Sequence, residues 1–176
     1  SEMCIRDRNI SLQDNIILSK QGYCQLDPEM LLYTKDRDSI HLSEIKRKEY
    51  TLVLRYSTQC CSTCVEDILR KMRKFEEQYP DIDILLFTTY RVQIEKKDFQ
   101  RICRFFPKVY NVFSLGIPLD EEVVPYLFVL DRGMRVIDTF IPDKDLPKLT
   151  NRYFERITTT LSRNKAYNYK YYKKEI

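Results

Sequence analysis

Apolar residues fall into runs and stripes that mark out most of the chain. Leu31-Leu32-Tyr33 and Ile40-His41-Leu42 flank a polar turn at residues 35–39, which predicts a short hairpin. Ser43-Glu44-Ile45 reads as a helical turn. Residues 50–56 (YTLVLRY) and 82–88 (IDILLFT) are apolar and rich in branched side chains, the composition of buried strands. Between them Val65, Ile68, Leu69, Met72 and Phe75 recur at helical spacing, with charges on the other positions, and Pro80 follows the end of that helix. A second helix is predicted from about residue 95, with Phe99, Ile102, Cys103 and Phe106 on its stripe and Pro107 as its stop. Residues 110–113 read as a short strand. Residues 126–130 and 135–141 read as strands joined by the turn Asp131-Arg132-Gly133. Leu146, Leu149, Tyr153, Ile157 and Leu161 mark a last helix.

The order is strand, helix, strand, helix, hairpin, helix. A strand–helix–strand unit requires a parallel pair with a right-handed crossover, and the hairpin adds antiparallel strands. The expected fold is therefore α/β, a mixed central sheet with helices on both faces and an N-terminal β-hairpin extension. Residues 1–30 form a poorly patterned extension in which only Ile16-Ile17-Leu18 suggests a strand. Residues 31–162 form the domain, and 163–176 a basic, tyrosine-rich tail (AYNYKYYKKEI from Ala166) expected to fray or to add an edge strand.

At 176 residues the chain suits one domain. Its three glycines rule out a Gly-rich phosphate loop. The net charge of +4 belongs to the tail: Arg163, Lys165, Lys170, Lys173 and Lys174 stand against Glu175, and residues 1–162 sum to zero. The body has no basic bias, so nucleic acid is not an expected partner. No apolar run is long enough to span a membrane, and residues 1–15 contain no signal-peptide core.

Three of the six cysteines, Cys60, Cys61 and Cys64, fall within five positions. Cys61-Ser62-Thr63-Cys64 is a C-x-x-C pair between a predicted strand and a predicted helix. A cysteine at a helix N-terminus meets unpaired N–H groups and the positive end of the helix dipole, which favour the thiolate. A second cysteine one turn on can close a disulfide with it. The softness of thiolate ligands raises a second chemistry, Cu(I) held by Cys60, Cys61 and Cys64 together. A third reading is a redox-inactive interaction module. Cys103 lies on an apolar helical stripe and reads as core, as does Met72. Cys4 and Cys24 have no assigned role, and His41, the only histidine, reads as a surface residue.

At these residues the chain resembles the thioredoxin superfamily, in particular its extracytoplasmic TlpA/ResA-type branch as found among Bacteroidetes proteins. The resemblance runs from about residue 31 to 161. It rests on the opening hairpin with its Leu-Ser-Glu-Ile turn, on the strand and C-x-x-C motif at 50–64, and on Val124-Pro125-Tyr126-Leu127-Phe128-Val129-Leu130-Asp131-Arg132-Gly133. It implies a thiol–disulfide oxidoreductase that needs no external cofactor and acts on protein thiols and disulfides outside the cytoplasm. A membrane tether upstream of the first residue is compatible with it. It implies that Cys61 attacks, that Cys64 resolves, and that Asp67, three residues after the second cysteine, handles protons. It also implies that Val124 and Pro125 present the substrate chain, with a cis bond before Pro125.

The sequence departs from that family at several points. Cys60 replaces the usual aromatic residue, Thr63 the usual proline, and Leu69 a further proline. Arg55 stands where a buried acid is usual. The stretch Asp120-Glu121-Glu122 is atypical.

Overall fold

The computed structural model describes residues 24–172. The expected strand at 16–18, Cys4, most of the N-terminal extension and the last four residues of the tail lie outside the described residues.

Seven strands form one mixed sheet: β1 (Leu31–Tyr33), β2 (Ser39–His41), β3 (Thr51–Ser57), β4 (Asp83–Thr89), β5 (Val109–Asn111), β6 (Tyr126–Leu130) and β7 (Val136–Phe140). The order across the sheet is β2-β1-β5-β4-β3-β6-β7. The pairs β3–β4 and β4–β5 are parallel, and the other neighbours are antiparallel. The first six residues of β3 and of β4 are buried, which explains their unbroken apolar text.

Three helices complete the fold: α1 (Ser62–Gln78), α2 (Val92–Phe105) and α3 (Pro147–Tyr172). Val65, Ile68, Met72 and Phe75 of α1 share one core with Leu52, Leu54 and Tyr56 of β3, Phe99 and Ile102 of α2, and Tyr153, Ile157 and Leu161 of α3. Met72 is fully buried at the centre of the α1 stripe; a side chain of that size contributes about 1.5–3 kcal/mol on burial. The opposite face of β3, with Val53, packs on Leu26, Leu42, Val112, Leu115 and Leu119. Helical cover is therefore unequal. All three α-helices lie on one face, and loops with two 3-10 turns, Leu42–Glu44 and Pro118–Glu122, cover the other.

Two elements differ from the sequence pattern. Helix α2 starts at Val92, before its apolar stripe, and Glu95 interrupts it with non-helical angles (φ −106°, ψ 20°). Residues 163–172, expected to fray or to pair as a strand, continue the backbone of α3.

Candidate active site

Strand β3 ends at Ser57, and a turn closed by the Cys60 N–H donating to Ser57 O (3.0 Å) leads straight into α1. Cys61 is the N-cap of that helix. Its side chain is exposed, that of Cys64 is partly covered, and Cys60 is buried at 7% exposure. Adjacent residues at a strand-to-helix junction point apart, so Cys60 turns inward: the Ser57 N–H donates to its sulfur at 3.4 Å.

Cys61 gathers donors. Its Sγ lies 3.2 Å from Thr63 Oγ1. Hydrogen bonds from the Thr63 hydroxyl first, then from the Cys64 side chain and the Cys64 backbone N–H, bring the Cys61 thiol down to about 7, with a smaller contribution from the charge of Lys144. Cys64 moves the other way. Its thiol is pushed up, first because it donates to Cys61 and then because it is partly desolvated. One thiol is thus prepared as a thiolate and the other as its protonated donor.

Lys144, in the loop before α3, reaches the same hydroxyl: its Nζ donates to Thr63 Oγ1 at 3.2 Å. An ammonium has only donors, so the Thr63 oxygen accepts from it. With Cys61 ionised, the Thr63 hydrogen is left to point at sulfur. The result is a polarised chain, Lys144 to Thr63 to Cys61, across 81 residues of sequence.

Sheet register brings the second motif to the same end. Arg55 of β3 is paired with Tyr126 of β6, so Val124 and Pro125, just before β6, lie beside the turn that carries Cys60 and Cys61. Cys60, Val123 and Val124 line one cavity there.

No family model matches the sequence, and no curated relative does. Solved structures do match in shape. A thiol peroxidase from Chromobacterium violaceum superposes with a TM-score of 0.53 at 12% identity, over 82% of this chain and 88% of its own. A domain of a possible thiol-disulfide isomerase from Cytophaga hutchinsonii gives 0.51 at 15% identity, over 80% and 99%. A candidate thiol-disulfide oxidoreductase from Bacteroides vulgatus gives 0.51 at 15% identity, over 74% and 87%.

The fold is thioredoxin-like.

Within this thioredoxin-like frame the proline segment departs from expectation. Among the described residues there is no cis peptide bond, so the Val124–Pro125 bond is trans and the expected cis bond is corrected. The chain changes direction one residue earlier. Val123 closes the 3-10 turn in the left-handed region (φ 52°, ψ 42°), an outlier for a β-branched residue. With the reversal made there, the bond before Pro125 keeps the ordinary, slightly favoured trans form.

Asp67 does not face the thiols through a hydrogen bond. Its carboxylate accepts from Lys71 Nζ at 2.7 Å, one turn on in the same helix, and lies 3.8 Å from Arg70. After the hydrogen bond to Cys61 and partial desolvation, the charge of Asp143 adds a smaller upward push on the Cys64 thiol. Among the described residues no three His, Cys, Asp or Glu side chains converge as a metal site; Cys60 is buried while Cys61 is exposed. Cys103 is partly buried against the main core, as its stripe suggested. The Nδ1 of His41 bonds with Glu29 O at 2.8 Å in the opening hairpin.

The two sequence departures at 55 and 120 answer each other. Arg55 Nε donates to Asp120 Oδ1 at 2.9 Å, and both side chains are nearly buried. Arg55 Nη1 donates to Tyr56 O and to Thr89 Oγ1. Asp120 also accepts from the Tyr126 hydroxyl (2.5 Å) and from the Leu115 N–H (2.6 Å). Burial and the neighbouring Asp120 push the Tyr126 hydroxyl upward, so it stays a donor. Among the described residues no helix is long and apolar enough to cross a membrane.

Proposed function

We propose that the protein exchanges disulfides with protein thiols through Cys61 and Cys64. The observation that carries this reading is the opposite preparation of the two thiols: Cys61 exposed at a helix N-cap among donors, Cys64 protonated beside it. The redox chemistry in the names of the structural neighbours from Cytophaga hutchinsonii and Bacteroides vulgatus supports it.

The Cys61 thiolate attacks one sulfur of a substrate disulfide. A Cys61–substrate disulfide forms, and the other substrate sulfur leaves as a thiolate. Cys64 then gives up its proton and attacks the Cys61 sulfur. The Cys61–Cys64 disulfide closes and the second substrate thiolate departs, so the protein loses two electrons and the substrate gains them. The reverse sequence oxidises a dithiol. Thr63 and Lys144 hold the thiolate. The family resemblance gives the proton-handling part to Asp67, whose carboxylate pairs with Lys71 and Arg70 of α1. Val124 offers backbone to an extended substrate chain, with Pro125 buried behind it. The resemblance to the TlpA/ResA branch supports a place of action outside the cytoplasm.

The direct check is a redox titration in dithiothreitol buffers, with alkylation and mass spectrometry. A reversible disulfide linking Cys61 to Cys64, with Cys60 reduced throughout, is the expected result. Two thiols that never pair leave the protein as a thioredoxin-like binding module.

A further inference from the structure

Beside the Cys60 turn the surface opens into a cavity of about 340 Å³, a size that suits a small ligand or one or two side chains of a larger one. Its floor carries Arg55, 5% exposed. A guanidinium has five N–H donors. Those of Arg55 that bond to protein come from Nε and Nη1, which leaves the Nη2 amino group for the cavity that Arg55 lines. Asp120, the acid on the floor, has both oxygens occupied by Arg55, Tyr126, Leu115 and Ser114. It therefore presents no free acceptor.

Arg91 stands at the rim, 71% exposed. Its side-chain pair with Glu95, at 3.4 Å, is a solvent-screened contact that a ligand can displace. The lip is apolar. Phe113 is 91% exposed and Val123 is 43% exposed, although both are large hydrophobic residues. The left-handed backbone of Val123 sits at the same lip.

Donors below, a movable arginine at the rim and an apolar lip match one chemistry. We propose that this cavity is a carboxylate-reading subsite. It takes a carboxylate on the molecule whose sulfur Cys61 attacks, held by Arg55 Nη2 and Arg91, with the apolar stem against Phe113 and Val123. The assignment rests on the disulfide-exchange reading, since it names what flanks the attacked sulfur. The carboxylate is carried either by a low-molecular-weight disulfide or by an acidic residue next to a cysteine in a protein chain.

The test is binding of unreactive thioethers to the whole protein, by calorimetry or by chemical-shift titration. S-methylglutathione probes the first source. An Asp-Cys peptide with its sulfur methylated probes the second, and the Asn-Cys peptide is its control. At least one carboxylate ligand should bind, and the Asn peptide should not. Arg55→Lys keeps a positive charge for Asp120 but removes Nη2, and Arg91→Gln alters only the rim. Each should weaken binding about tenfold, the order expected for one charge-assisted hydrogen bond. No binding by either probe overturns the subsite, as does binding indifferent to both substitutions. Which probe binds identifies the source. Reaction of Cys61 with neutral hydroxyethyl disulfide, read in parallel, reports on the exchange reading alone, because thioether binding needs no sulfur chemistry.

Discussion

Arg55 Nε lies 2.9 Å from Asp120 Oδ1, and the two side chains are 6% and 9% exposed. They are 65 residues apart in sequence. The pair joins the strand that leads into the cysteines to the turn that leads into Val124 and Pro125. A buried ion pair contributes little net stability over an apolar pair, but breaking it leaves an uncompensated charge.

Asp120→Asn should therefore cost about 3–5 kcal/mol in denaturant unfolding. The double variant Arg55→Met, Asp120→Leu should lose clearly less than the sum of its single changes. A loss below about 1 kcal/mol for Asp120→Asn would show that the guanidinium finds other acceptors.

The thiol chemistry has a pH signature. Only the thiolate is alkylated, so Cys61 should reach half its maximal rate near pH 7 and lose about tenfold per pH unit below that. The Thr63 hydroxyl is the largest cause of this lowering and Lys144 a lesser one. Thr63→Ala should move the midpoint up more than Lys144→Met does, and Thr63→Ser should restore it. An unmoved midpoint in Thr63→Ala would remove the hydroxyl from the account.

Asp143 and Asp67 separate by their effect on Cys64. The Asp143 charge raises the Cys64 thiol, so Asp143→Asn should lower its alkylation midpoint, followed in a Cys61→Ser background. Asp67→Asn should release Lys71 and leave that midpoint in place. The opposite pattern would make Asp67, and not Asp143, the carboxylate whose charge the Cys64 thiol senses.

The domain boundary at 162 is testable by truncation. Leu161 is the last core residue of α3 among those described. A chain ending at Ser162 should melt within about 2 °C of the full chain. A loss of more than about 5 °C would mean that the residues beyond dock on the body.

The parts legible in sequence are those whose burial repeats. Strands β3 and β4 are buried along nearly their whole length, so their apolar runs located them to within one residue. The α1 stripe and the Cys61–Cys64 spacing put the two cysteines of the candidate site at a strand-to-helix junction. What escaped has no period to read. The turn at Pro118–Glu122 is five residues long. The kink at Glu95 hides the start of α2, because the stripe begins only after it. The partnership of Arg55 with Asp120 depends on where the 3-10 turn folds against β3, and each residue alone registers only as a departure. Lys144 lies in a loop of charged residues, and only the tertiary fold brings its ammonium to Thr63. The bond before Pro125 was expected cis from the surrounding motif, whereas Val123 makes the reversal.

The central claim is the division of labour between Cys61 and Cys64, and trapping with the single variants tests it most directly. Cys64→Ser leaves an attacking thiolate with no resolving partner, so it should accumulate mixed disulfides with protein substrates through Cys61, identified by mass spectrometry. Cys61→Ser should accumulate none, and Cys60→Ser should behave as the parent. If Cys64→Ser traps nothing while Cys61 titrates like an ordinary thiol near pH 8.5, the exchange mechanism is contradicted.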